Sequence, residues 1–402
     1  MKLVNRSIYV ERVKPFINKA VIKVLTGQRR VGKSFILLQL MEYIRTQDAN
    51  SNIIYLNMEL EEFVGIKTHL DLNHYLKDKF VKGTSNYLFI DEVQEVEGFE
   101  RTLRSLLAKN TCDIYCTGSN ARMLSGEIAT HLSGRYVSIH IHSLSYREFL
   151  QFHQLENVFE SLMHYLKYGG MPFLYNIGLQ EDLPFEYLRN VYSTILLKDV
   201  VAKENIRHVA FLENLVLYLS DNVGSLFSAN NISKYLKSQR VDISPQLTLS
   251  YLKALSNAYF IHKVERAEVG GLKIFEIGEK YYFQDIGLRN TIVGYRQRAD
   301  MHKLSENAIY LHLVQQEYKV HVGKLGDKEI DFVGEKNGAK IYVQACLTLY
   351  DPNTEEREFG NLLQIKDNYP KYVVTLNDAL IGESSNGIIQ KNLLDFLSMD
   401  FN

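Results

Sequence analysis

Gly27, Gln28, Arg29, Arg30, Val31, Gly32, Lys33 and Ser34 spell G-x-x-x-x-G-K-[ST] without exception. Glycines at this spacing let a backbone turn so that successive N–H groups converge on phosphate oxygens. Lys33 would reach the β- and γ-phosphates, and the Ser34 hydroxyl would face Mg²⁺. A second pair of chemical groups, Asp91 and Glu92, follows the apolar run "YLFI" (87–90). Asp91 suits a metal-holding carboxylate beside Ser34, and Glu92 suits a base that polarises water against the γ-phosphate. Ser119 and Asn120, in "CTGSN", offer polar groups that could sense that phosphate. The expected ligands are therefore ATP and Mg²⁺.

Those groups need a scaffold. "VIKVLT" (21–26) reads as a buried strand and "SFILLQLMEYIRT" (34–46) as an apolar-periodic helix, so the glycine loop joins a strand to a helix N-terminus. Further strands are expected at 52–59, 86–92, 113–120 and 136–141, with helices near 67–80, 99–108 and 120–132 between them. Alternation of this kind predicts an α/β fold, a parallel sheet covered on both faces, with ligands at the carboxyl ends of the strands.

The residues carry a family resemblance. "VLTGQRRVGKS", "YLFIDEVQEV", "DIYCTGSNARMLSGEIATHLSGRY" and "SLSYREFL" resemble the AAA-like ATPases of bacteria and archaea with an appended C-terminal domain of unknown function. The resemblance implies a P-loop ATPase of the additional-strand division. It also implies that Pro172, in "YLKYGGMP" (165–172), packs near the nucleotide, and it matches "ILLKDVV" and "KYYFQDIGLRN" to the appended part. Where that family often has Pro in "PLSF", this chain has Ser143 and Tyr146 in "SLSY". Arg135, in "LSGRY", is a candidate arginine finger, in its own chain or toward a neighbouring subunit; an ordinary ion-paired arginine is the competing reading.

Four parts are expected: a P-loop AAA-like domain over 1–150, a helical extension over 151–215, a winged-helix-like module over 216–290 and a restriction-endonuclease-like domain over 291–402. In the winged-helix part the helix expected at 246–256 carries Lys253 alone and the preceding one only Lys234 and Lys237, little charge for a phosphate backbone. A structural or protein-docking module fits better. In the last part Glu306, Asp331 and Gln344 resemble the spacing of a phosphodiesterase site, with Glu329 nearby, yet Gln344-Ala345-Cys346 stands where (D/E)-x-K is expected. Lys340 and Lys324 are the substitutes considered.

Composition frames the rest. The chain has 402 residues, 46% hydrophobic and 23% charged, enough for several globular cores, and a net charge of −1 gives no general basic field for nucleic acid. Three cysteines suit a reducing compartment, and neither a secretory leader nor a spanning helix is legible, so a cytoplasmic protein is expected. His140 and His142 alternate on one strand and read as structural, as do Cys112 and Cys116. The expected role is an ATP-driven switch acting on a protein partner, with an ATP-gated nuclease and a non-hydrolysing ATP-binding module as alternatives.

Overall fold

The computed structural model describes residues 4–124, 134–180, 182–238, 244–269, 274–348, 352–376, 382–383 and 387–401. They group into two compact units, 1–142 with 257–259, and 143–256 with 260–402.

The first unit is built on five parallel strands, β1 (Ile22–Thr26), β2 (Asn52–Asn57), β3 (Asn86–Asp91), β4 (Asp113–Gly118) and β5 (Tyr136–His140), in the order β2-β3-β4-β1-β5. β4 thus lies between β1, which feeds the glycine loop, and β3, which ends in Asp91: the additional strand that the resemblance implies. β1 is buried along its whole length, and β3 from Tyr87 onward, as near-continuous apolar runs covered on both faces must be. Val24, Leu56, Leu88, Ile90 and Ile114 join Leu103 of a covering helix in one core. Helices α1 (Ser7–Val13), α2 (Lys33–Gln47), α3 (His69–Leu76) and α4 (Phe99–Ala108) accompany the sheet. α3 is shorter than expected; Thr68 and Asp71 form a reciprocal cap that starts it sharply. Of the helix expected at 120–132, a 3₁₀ turn at Ala121–Leu124 is seen, and the remainder falls mostly outside the described residues.

The second unit begins with helices Tyr146–His153, Phe159–Tyr168 and Leu183–Thr194; the last runs on into a π-helical stretch, Ile195–Ala202. After Val209–Asp221 come the two helices expected before a hairpin, Ala229–Ser238 and Pro245–Asn257. The hairpin is β6 (Ile261–Glu268) and β7 (Ile274–Phe283). It continues sideways into β8 (Lys319–Leu325), β9 (Lys328–Lys336), β10 (Ala339–Cys346), β11 (Lys371–Thr375), β12 (Gly382–Glu383) and β13 (Ile389–Asn392). These make one mixed eight-stranded sheet, ordered β12-β13-β11-β10-β9-β8-β6-β7. The long helix Gln297–Gln315 packs on β8 and β10 and is buried along most of its length. Gly169 and Gly170 are held from the same unit: the Gly170 N–H donates to Asp285 at 2.8 Å, and a Cβ on Gly169 would lie 2.4 Å from that carboxylate. No helix among the described residues is long and apolar enough to cross a membrane.

Candidate phosphate-binding site

The register places Thr26 beside Gly118 and Asn57 beside Asp91, so the strand ends that carry the loop, the paired acids and Ser119 share one edge of the sheet. The loop's shape follows from its glycines. Gly27 has φ 149° and sits so close to β5's exit that a Cβ would be 2.3 Å from the Ile141 carbonyl oxygen. Gly32, at φ 96°, is the left-handed residue from which α2 starts, and Arg30 takes φ 71° between them.

Lys33 is folded against its own loop. Its Nζ donates to the carbonyls of Gly27 at 3.2 Å and Gln28 at 3.1 Å, and lies 3.5 Å from Glu92 Oε1. The residue is only 4% exposed, so a charged ammonium is buried against carbonyls and one acid. The Gln28 side chain is wholly buried, and neither atom of its amide has a hydrogen-bond partner among the described residues. A cradle with a crowded glycine, an ammonium resting on carbonyls and an unsatisfied amide fits a polyanionic phosphate chain. Ser34 hydrogen-bonds to Asp91, and this set of oxygen donors fits Mg²⁺, a hard cation.

The acids are tuned apart. Burial raises the Asp91 pKa above the usual carboxylate value, and the nearby Glu92 charge adds to this; hydrogen bonds from Ser34 and Thr117 offset only part. Glu92 is buried as well, but the Lys33 ammonium, the Gln94 amide and the Arg29 guanidinium outweigh burial and hold it below its ordinary value. Ser119, fully buried at the end of β4, contributes in the same direction. Glu92 adopts φ 55°, a left-handed turn directly after β3 that β-sheet geometry does not supply. Its N–H donates to Thr117 Oγ1 at 2.8 Å, and the same hydroxyl donates to Asp91 at 2.5 Å. Sequence reading passed over Thr117; the signal available was its place two residues before Ser119 on a strand whose alternate residues face the same way.

Not every expected residue gathers here. Arg135 is exposed and precedes β5, with its carbonyl accepting from Ile22 N–H at the start of β1. That is the opposite end of the strand from the loop, roughly 16 Å away at 3.3 Å per residue and beyond an arginine's reach. An arginine-finger role on the chain's own phosphates is thereby excluded. Pro172 belongs to the second unit. The His140 and His142 rings meet edge to face at 4.4 Å, and the Thr26 hydroxyl lies 3.3 Å from His140 Nδ1.

The second unit also concentrates charge. Lys280 Nζ on β7 lies 3.0 Å from Glu306, 3.0 Å from Glu329 and 3.4 Å from Asp331, and the Tyr282 hydroxyl donates to Glu306 at 2.6 Å. Asp331 Oδ2 accepts from the Ala345 N–H at 2.9 Å, and Gln344 Oε1 accepts from the Asp331 N–H at 3.2 Å. Glu306, Asp331 and Gln344 are thus brought together. The lysine among them is Lys280, while Lys340 pairs with Glu335 at 3.1 Å.

Comparison with known proteins adds the following. An AAA domain family matches residues 19–150, and a domain family of unknown function matches 159–299. An uncharacterised protein of Haemophilus influenzae is 36% identical over 379 residues, 93% of each chain. One from Methanocaldococcus jannaschii is 29% identical over 400 residues, 94% of this chain and 86% of that one. Among solved structures, the Aeropyrum pernix ORC1 protein in complex with DNA aligns over 72% of this chain and 93% of its own, at 10% identity and a TM-score of 0.34. A likeness that low says nothing of function. The identity over nearly the whole length does decide kinship: the protein belongs to the same family as the Haemophilus influenzae chain, and it carries an AAA domain over residues 19–150.

Proposed function

We propose that the protein is a Mg²⁺-dependent ATPase that works as a nucleotide-controlled switch on a protein partner. The observation that carries this reading is the Lys33 ammonium, held on loop carbonyls and 3.5 Å from Glu92. Phosphate oxygens would replace the weak carbonyl partners of Lys33 and release Glu92 to a water. The backbone of 27–34 binds phosphates, Ser34 and Asp91 hold Mg²⁺, which neutralises phosphate charge when bound, and Ser119 senses the γ-phosphate. Glu92, kept ionised by its neighbours, orients the attacking water and accepts its proton. Arg135 is left to act on a neighbouring subunit, and Pro172 to approach the nucleotide from the helical extension. The test is Glu92→Gln, which should bind ATP as the wild type does and release phosphate about 100-fold more slowly. Unchanged phosphate release would remove Glu92 from the reaction. Matching, negligible release in both proteins would favour a module that binds ATP without turning it over.

A second reading, an ATP-gated phosphodiesterase in the C-terminal part, is favoured by one observation: Lys280 supplies, from β7, the ammonium that Gln344-Ala345-Cys346 lacks. On that reading Asp331 and Glu306 would hold a divalent ion and Lys280 would steady the attacking water. Divalent-dependent cleavage of DNA or RNA by the wild type, absent in Asp331→Ala, would establish it. No cleavage by the wild type leaves the switch.

A further inference from the structure

A phosphate loop binds through N–H groups that face inward, and their direction is set from behind, by whatever holds the carbonyls. Behind this loop stands Arg6, 3% exposed and outside every motif in the sequence. Its Nη1 donates to the Val31 carbonyl at 2.8 Å and to the His142 carbonyl at 3.1 Å. Its Nη2 lies 3.4 Å from the Tyr9 hydroxyl, and the guanidinium carbon sits 4.6 Å from the Tyr9 ring centroid. Tyr9 Oη in turn accepts from the His142 N–H at 3.1 Å. The segment bearing Arg6 is pinned to α2 by Gln39, whose Oε1 accepts from Arg6 N–H at 3.2 Å and whose Nε2 donates to the Val4 carbonyl at 2.9 Å.

We infer that Arg6 is a positioning residue for the phosphate loop, which it clamps between the exit of β5 and the N-terminal segment so that the Gly32 N–H is aimed at the nucleotide phosphates. The physical link is the peptide plane. No described peptide bond is cis, so the Val31 C=O and the Gly32 N–H point in opposite directions across one rigid unit. An oxygen fixed by a buried charge-assisted hydrogen bond fixes the hydrogen on the other side. Gly32 cannot hold that orientation alone, because glycine at φ 96° has the widest choice of backbone conformations in the loop. Arg6 carries out no chemistry; it removes the loop's freedom before phosphate arrives. A neutral residue of similar length would keep the packing on Tyr9 and lose the clamp.

This rests on the nucleotide reading above, and the experiment separates the two. Mg·ADP binding is measured by calorimetry for the wild type, Arg6→Met and Arg6→Lys, with the nucleotide-free melting temperature of each. Arg6→Met should weaken ADP about tenfold, the effect of losing a charged hydrogen bond, and Arg6→Lys should recover part of the affinity. A merely structural arginine would lower the melting temperature and leave the folded fraction's affinity alone. Wild-type affinity in folded Arg6→Met overturns the proposal and spares the nucleotide reading. A wild type that binds no ADP overturns both. Should Arg6→Met not fold, Gln39→Met, which frees the segment without touching the guanidinium, must weaken ADP by about threefold. Wild-type affinity there overturns the clamp.

Discussion

Lys33 and Lys280 are both buried beside carboxylates, and the two settings differ in what a ligand can displace. Lys33 leans on two carbonyls and a single acid at 3.5 Å, contacts that a phosphate oxygen outcompetes. Around Lys280, burial works against the charge, but Glu306, Asp331 and Glu329 more than offset it and raise the ammonium's pKa well above its ordinary value. Removing one member of such a buried set is far more damaging than its net worth, because the others are left uncompensated. Buried histidines show the same cost in a form that pH exposes. His312, packed against Phe396 and Phe401, is pushed down to about 4 by burial, with Asp400 and Arg147 acting in opposite directions on it. Unfolded, it would take a proton near 6.5. Between those values the unfolded chain binds the extra proton, so stability falls as pH drops from about 6.5 to about 4, by up to about 3 kcal/mol for this residue. In His312→Phe that part of the acid sensitivity should vanish. Urea titrations of both proteins at pH 7 and pH 4.5 check it; an unchanged difference would mean the imidazole is solvated.

Elements were legible where their signal is local. The five strands of the first unit are short apolar runs bounded by turn residues, and all five lie within the expected spans, because a strand buried on both faces has little choice of composition. The glycine loop was legible for a similar reason: its φ values demand residue types that can be read off. β7 was harder. Its expected part ended near residue 277, but the strand runs to Phe283 through Gly278 at φ 96°, a residue that reads as a terminator. Lys280 lay in that hidden extension, and its partners Glu306 and Asp331 are 26 and 51 residues away, so no spacing rule could connect them. Arg6 was invisible on the same ground, since its carbonyl partners are 25 and 136 residues downstream. Backbone carbonyls leave no mark in a sequence at all. The failed expectation for Arg135 has a different cause. It was placed by its motif, and a motif does not say at which end of a parallel strand a residue stands.

At the scale of the molecule, a net charge of −1 removes any general attraction for nucleic acid, and activity must come from two concentrated sites, one in each unit. Only the first has a loop, a helix N-terminus and tuned acids converging on one sheet edge. Its claim is that residues 27–34 hold a nucleotide's phosphates with Lys33 as the cation. The direct measurement is calorimetric titration of Mg·ADP into the full-length wild type and Lys33→Ala, both verified as folded. The account predicts saturable one-to-one binding by the wild type, weakened at least about tenfold in Lys33→Ala. Equal affinity in the two proteins, or no binding by the wild type, would contradict it.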